Sequence, residues 1–304
     1  MSLRIAIATD APGWHGERLQ AAFAERGAQA VCVSLRDCVL DLTRAAHGLV
    51  MPGFEQRLPD GVFVRQVPGG TLEQVVLRLD FLHALKELGV PVYNDGRAIE
   101  RTVDKAMTSF LLRRAGIPTP PTWVAESADQ ARAIVQSEAA AGHEVVIKPL
   151  FGSQGKGLRR LGSAQALPPA TEYAGVHYLQ RFLPPGTEGY RDWRVFVIAG
   201  QAIAAMQRLG QDWVNNVALG ARCEAAALDA ELRELAEAAC RAVAVDYGGV
   251  DIMRGRDGLA QVVEVNGIPA WRGLQSVCGF DIAQRLVDDL LTRKLPAPAL
   301  SNVA

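Results

Sequence analysis

The chain has 304 residues, 49% of them hydrophobic and 21% charged, with 32 basic against 33 acidic side chains and a net charge of −1. That length suits about two domains, and that composition excludes a disordered or collagen-like chain and a strongly basic nucleic-acid binder. Five scattered cysteines without a C-x-x-C pair argue against a disulfide framework or a zinc site, and no apolar run approaches the roughly 18 residues of a membrane span, so the expected compartment is the reducing cytoplasm.

Residues 3–8 read as a first strand, 16–26 as a helix stopped by Gly27, and 30–33 as a second strand. This β-α-β opening marks a parallel sheet, and the fold class is α/β. Thr71 and Gln74 form a capping box. Leu72, Val75, Val76, Leu79, Leu82 and Leu85 then keep helical spacing as far as Gly89. A strand at 91–93 ends a first unit, 1–96. A second unit, 97–182, holds a helix over 104–115, a Ser127-capped helix ending at Gly142, and strands at 144–148 and 177–182. The third unit, 183–304, carries strands 194–198 and 202–207 joined as a hairpin through Ala199-Gly200. A helix over 228–245, strands 249–253 and 260–265, and a closing helix over 281–293 follow.

The strand over 144–148 delivers Lys148 into a loop containing Gly152, Ser153, Gly155, Lys156 and Gly157. Glycines let backbone N–H groups close on an anion, and such a nest binds phosphate. Lysine is used only five times here, against 27 arginines, and a lysine supplies a compact point charge. A plain hairpin turn needs one or two glycines and no lysine before it. The spacing is no P-loop, since Leu158 follows Gly157, and Arg160 stands where a Rossmann fingerprint needs glycine. Ser153 and Lys156 spell S-x-x-K without the partner motifs of a β-lactamase.

Asp251 closes one strand, and Glu264 and Asn266 sit two apart on the next, sharing a face. Two carboxylates and a carboxamide are hard oxygen ligands suited to magnesium held jointly with substrate phosphates, with manganese as the alternative ion. The competing reading is an amphipathic strand with a solvated glutamate. Asp192 and Arg194 share another strand face, with Arg208, Asn215 and Asn216 further on. Arginines fit a transferring phosphoryl group. Here the alternative is an exposed ion pair of Asp192 with Arg194.

In this order the pieces resemble the ATP-grasp ligases, in the RimK-like branch whose members join glutamate to an acceptor. The resemblance implies an N-terminal parallel-sheet domain, a central lid and a C-terminal α+β domain, with ATP clamped between the last two. Lys105 and Lys148 resemble the two nucleotide lysines, and Gly152, Ser153, Gly155 and Gly157 the lid loop. Gln180, Arg181, Phe182 and Leu183 resemble the hinge whose backbone reads adenine. Asp192 resembles a nucleotide-contacting aspartate, Asn216 an asparagine near the triphosphate, and Asp251, Glu264 and Asn266 the metal set. Arg208, Arg194 and Asn216 are the expected catalytic group. The implied reaction joins a carboxylate to an amine through an acyl phosphate, with ATP and magnesium as cofactors. The implied partners are small-molecule acids and amines, glutamate among them, with no nucleic acid and no membrane; a homo-oligomer is left open. Ribosomal-protein-modifying members carry an arginine-serine pair before the asparagine, where this chain has Trp213-Val214-Asn215-Asn216. The run Pro68-Gly69-Gly70-Thr71, with Arg78 and Ala98-Ile99-Glu100-Arg101, resembles instead the ligases that add glutamate to the pterin cofactor tetrahydromethanopterin. The alternatives are a ligase for a peptide, carrier or ribosomal-protein tail, and a nucleotide-binding module without catalysis.

Overall fold

The computed structural model describes residues 2–43, 47–152, 155–162, 166–186, 189–215 and 220–295. The first sheet is wholly parallel. It is built from β1 (Arg4–Ala8), β2 (Gln29–Val33), β5 (Gly61–Val64) and β6 (Val92–Tyr93) in the order β2-β1-β5-β6. Between them lie α1 (Gly13–Glu25), a two-stranded ribbon of β3 (Val39–Leu40) with β4 (Leu49–Val50), and α2 (Leu72–Glu87). The capping box is present. Thr71 accepts from the Gln74 N–H, and the Gln74 side chain accepts from the Thr71 N–H. Strand β5 has no polar alternation because all four of its residues are buried, as parallel strands covered on both faces require.

The helix expected over 104–115 is the second of a pair, α3 (Gly96–Val103) and α4 (Lys105–Arg114). Asp104 separates them. Its extended backbone ends α3, and its carboxylate accepts from the Ala106 and Met107 N–H groups to cap α4. The second sheet is antiparallel, ordered β7-β10-β8-β9, from β7 (Thr122–Ala125), β8 (Val145–Lys148), β9 (Arg159–Leu161) and β10 (His177–Arg181), with α5 (Ala128–Ala140) against it. It has a core of its own around Ala131, Val145, Ile147, Leu161, Tyr173 and Leu179.

The third sheet is also antiparallel. Its strands are β11 (Arg191–Ile198), β12 (Gln201–Leu209), β13 (Arg222–Ala225), β14 (Tyr247–Arg254) and β15 (Ala260–Asn266), ordered β13-β12-β11-β14-β15. The predicted hairpin turn is there. Ala199 and Gly200 both have positive φ, 51° and 74°, the geometry that a two-residue hairpin loop demands. Helix α6 (Ala230–Val243) covers one face together with Leu112 and Ile117. The other face shares a core with the parallel sheet, where Ile5, Leu19, Phe23 and Phe63 meet Phe196, Tyr247, Trp271 and Leu286. The short α7 (Arg272–Gln275) and α8 (Ile282–Asp289) complete it. The closing helix expected over 281–293 is α8 continued as a wider turn over Leu290–Lys294. Arg18 of α1 and Arg26, which caps it, reach Asp281 and Asp288.

Asn94 locks the two sheets together. It is fully buried. Its Nδ2 donates to the carbonyls of Tyr247 and Gly267 at 2.7 and 2.6 Å, and its Oδ1 accepts from the N–H groups of Asp246 and Tyr247 at 2.5 and 3.2 Å. All five cysteines are free thiols. Among the described residues no helix is long and apolar enough to cross a membrane.

Candidate functional site

A cleft of about 490 Å³ opens between the second and third sheets. From the second sheet, β8 ends on Lys148, whose Nζ donates to the Gln180 Oε1 at 2.6 Å. The Gln180 amide is held in turn, donating to Thr122 Oγ1 at 3.1 Å and Tyr178 Oη at 3.3 Å, and Tyr178 bonds Ser109 at 2.8 Å. The lysine is thus positioned by polar groups that carry no opposite charge. Burial lowers its pKa to about 8, with Lys105 adding to the effect and Glu264 and Asp251 opposing it. Lys105 opens α4 and donates to the Gly152 carbonyl at 2.6 Å. Burial lowers its pKa as well, against the pull of Glu264 and Asp104.

The hinge residues continue from β10. The backbone N–H groups of Arg181 and Phe182 are taken by the carbonyls of Pro121 and Glu144, and the Arg181 guanidinium forks onto Glu138 at 2.6 and 3.0 Å. A ligand read by hinge N–H groups would therefore meet Leu183, which lines the cleft with Phe182. Phe182 packs edge-on against Trp213 at 6.0 Å, with Arg160 4.8 Å over its ring.

The floor belongs to the third sheet, and strand register sets its charge pattern. Asp192 lies opposite Arg208 across β11 and β12, Arg194 opposite Asp251 across β11 and β14, and Asp251 opposite Glu264 across β14 and β15. The result is a buried network. Arg208 bonds Asp192 and reaches Asp251 at 3.0 Å, and Arg194 grips both oxygens of Asp251. An exposed Asp192–Arg194 pair does not form, because each side chain has a closer cross-strand partner. Burial works against a charged Asp251, but Arg194 and Arg208 outweigh it and hold its pKa low. Burial pushes the Asp192 carboxyl up, against the pull of Arg208. Arg208 stays charged although buried, because Asp251 and Asp192 face it. Gly249 makes room for this arrangement. A Cβ there would lie 3.0 Å from both Arg194 Cδ and Pro269 Cβ.

Glu264 and Asn266 follow on β15 and face the same cleft. Glu264 has no hydrogen bond to any described residue, and the Asn266 amide nitrogen lies 3.5 Å from the Gly249 carbonyl. A hard cation would find a free carboxylate and an amide oxygen there, plus an Asp251 whose oxygens already serve two arginines. Among the described residues no group of three or more His, Cys, Asp or Glu side chains could hold an ion alone. Such a half-complete donor set fits a cation shared with an oxyanion better than a closed protein cage.

The cleft thus gathers Lys105, Lys148, Gly152, Gly155, Gln180, Arg181, Phe182, Leu183, Asp192, Arg194, Arg208, Asp251, Glu264 and Asn266. Gly157 lies behind the loop, where its carbonyl accepts from Tyr173 Oη. Ser153 and Asn216 lie outside the described residues. The neighbouring Asn215 donates to the Arg208 carbonyl at 2.7 Å. Sequence reasoning missed Tyr178, Ser109 and the side-chain role of Gln180; the alternation of β10 gives some signal for Tyr178 and Gln180, and nothing in the sequence singles out Ser109 on α4.

Comparison with known proteins bears on the family of the chain. The RimK-like ATP-grasp domain matches residues 102–290. The chain is similar to the tetrahydromethanopterin:alpha-L-glutamate ligase of Methanococcus maripaludis, 38% identical over 75% of this chain and 78% of the relative. It is also similar to the alpha-aminoadipate–LysW ligase LysX of Saccharolobus solfataricus, 32% identical over 67% of this chain and 75% of the relative. Among solved structures, the ATP-grasp ligase PsnB complexed with minimal precursor, Mg and ADP aligns with a TM-score of 0.71 at 23% identity, over 95% of this chain and 97% of that one. The chain belongs to the RimK-like ATP-grasp family and is an acid–amine ligase of that family.

Proposed function

We propose that this ligase uses ATP and magnesium to join L-glutamate to a small pterin-type acceptor like tetrahydromethanopterin, the acceptor for which the 38% identical relative is named. The observation that carries the ligase chemistry is the opposition of Lys105 and Lys148 to Glu264 and Asn266 across one cleft. Two lysines and two hard oxygen donors line the same cleft, the combination that an oxyanion chain with its cation calls for.

Two steps follow. A carboxylate oxygen of the acceptor attacks the γ-phosphorus of ATP, the bond to the β-phosphate oxygen breaks, and ADP leaves. The amine of glutamate then attacks the acyl-phosphate carbon, phosphate departs, the amine proton is lost, and an amide remains. Lys105 and Lys148 hold the α- and β-phosphates as point charges. Arg208 and Arg194 stand where charge builds on the transferring group, held in place by Asp192 and Asp251. Magnesium, held by Glu264, Asn266 and a shared oxygen of Asp251, would neutralise phosphate charge there. We read the units 1–96, 97–182 and 183–304 as base, lid and floor, and the separate core of the second sheet supports that reading. A closed lid excludes water from the acyl phosphate.

The test supplies ATP and magnesium with glutamate and candidate acceptors, and follows ADP release and product mass. Continuous ADP release over many turnovers that needs both acid and amine supports ligation, and continuous release in the absence of either opposes it. Glu264→Ala should keep the wild-type melting transition while ADP release falls by about 100-fold or more, because Glu264 faces the cleft rather than the core. An unfolded variant would assign it a structural role instead.

Lys148 yields a further expected result. With its pKa near 8 in the free protein, binding of a triphosphate favours the charged amine and draws in a proton. Titration calorimetry of a non-hydrolysable ATP analogue in buffers of different ionisation heat should show uptake near zero at pH 6.5 and about half a proton near pH 8. Affinity should fall as pH rises through 8. Lys148→Arg stays charged throughout and should show no such uptake. Equal uptake in both proteins would count against Lys148 as the phosphate ligand.

A further inference from the structure

A second group of cations lies outside the nucleotide cleft and is not used by the ligation chemistry above. Arg65 follows β5 directly, and His15 sits in the first turn of α1. Both meet Trp271 on the loop that leaves Asn266. Arg65 stacks 5.2 Å over the Trp271 ring, and its Nη1 donates to the Ile268 carbonyl at 3.3 Å, two residues past Asn266. The His15 ring packs edge-on against Trp271 at 4.5 Å, and its Nε2 accepts the Trp271 backbone N–H at 3.2 Å. Arg272 lies 5.9 Å over the ring of Trp14, which itself packs on His15 at 4.9 Å.

This group lacks counter-charge. The guanidiniums of the floor, the partly buried Arg194 and the buried Arg208, are each matched to an aspartate. No carboxylate among the described residues pairs with Arg65 or Arg272. The fully buried Trp271 also leaves its Nε1 without a partner. Burial, then Arg65 and Arg272, push the His15 pKa down to about 4, so its ring is neutral. With Nε2 accepting, the neutral ring carries its proton on Nδ1, a further donor. Burial likewise pulls the Arg65 pKa down, with only Tyr247 opposing. A desolvated cation such as Arg65 without an acid is destabilising in the empty protein, and packing alone gives no reason to keep arginine there.

We propose that Arg65 and Arg272, set around Trp271 and His15 at the exit of the 266–271 loop, bind a spectator carboxylate of the substrate, one neither phosphorylated nor consumed. The inference rests on the ligase reading. An amino acid that reacts through its amine keeps its carboxylates, which must be held away from Asp251 and Glu264. A guanidinium fork matches a carboxylate edge, and the subsite is tied to the chain that leaves the proposed metal donors, since Trp271 and Arg272 lie on it and Arg65 donates to the Ile268 carbonyl.

The test uses the full-length protein loaded with magnesium and a non-hydrolysable ATP analogue, titrated calorimetrically with L-glutamate and, separately, with glutarate. Arg65→Met should weaken glutamate binding at least tenfold and Arg272→Gln at least threefold, with nucleotide affinity within twofold of wild type in both. Arg272 is exposed, so that variant decides the matter if Arg65→Met does not fold. Equal glutamate binding by wild type and Arg272→Gln, or no binding of either dicarboxylate to the wild type, overturns the subsite. ADP release is measured in parallel. Dicarboxylate binding lost in the variants, without ADP release in wild type, would fault the ligase reading and leave the anion subsite standing. Release with an unchanged KM for the amine in both variants would do the reverse.

Discussion

Arg208→Leu is expected to destabilise the protein by about 3–5 kcal/mol at pH 8, the scale for breaking a buried ion pair from one side. Arg208 and its partners Asp192 and Asp251 are each buried, with 5–8% exposure. Removing the guanidinium leaves Asp192 charged in the interior, whereas Asp251 keeps Arg194. The deficit should depend on pH in a definite direction. Burial already raises the Asp192 pKa, and loss of Arg208 raises it further. The folded variant then binds a proton more readily than the unfolded chain does, so its stability recovers as pH falls from 8 towards 5. Urea midpoints at both pH values measure this, and Asp192→Asn in the same chain should restore much of the loss at pH 8. A variant as stable as wild type at pH 8 would contradict the network.

Asn94→Ala is the second large effect. The side chain makes four hydrogen bonds to backbone groups of the third sheet and its flanks, with no exposure to water. Truncation orphans two carbonyls and two N–H groups in the interior. At about 1–3 kcal/mol for each buried group left unmade, partly relieved by relaxation, a loss of about 3–5 kcal/mol is expected. Asn94→Asp should also destabilise, because a carboxylate cannot donate to Tyr247 and Gly267. Thermal melts and urea midpoints read both, and a loss below about 1 kcal/mol would mean that water or a shifted backbone replaces the bonds.

The parts of this molecule written in local chemistry were legible in its sequence. The capping box at Thr71, the turn at Ala199-Gly200, the lysine at the end of β8 and the i, i+2 pair Glu264 and Asn266 each rest on residues a few positions apart. What escaped depends on register. Asp192 and Arg194 look like partners along one strand. Yet the hairpin sets Arg208 opposite Asp192, and a strand about 60 residues further on sets Asp251 opposite Arg194. The group around His15, Arg65 and Trp271 is still less visible, since its members come from three distant segments and share no motif. Strand β5 escaped for another reason: a four-residue apolar run shows no period by which to recognise it.

The helix pair α1 and α8 has a consequence for the order in which the chain acquires structure. Arg26 and Asp288 are 262 residues apart in sequence, and the same interface buries Leu19 and Phe23 against Leu286 and Leu290. A ribosome therefore exposes the inner face of the parallel sheet long before its covering helix has been made. Until then Ile5, Ile7 and Phe23 present an apolar surface to water, the kind of exposure that makes a partly made chain prone to aggregate. Closing so distant a contact also slows folding. Refolding from urea should be slower than in a protein whose first sheet completes its own core, and a fragment ending near residue 270 should aggregate even though all three sheets are encoded within it.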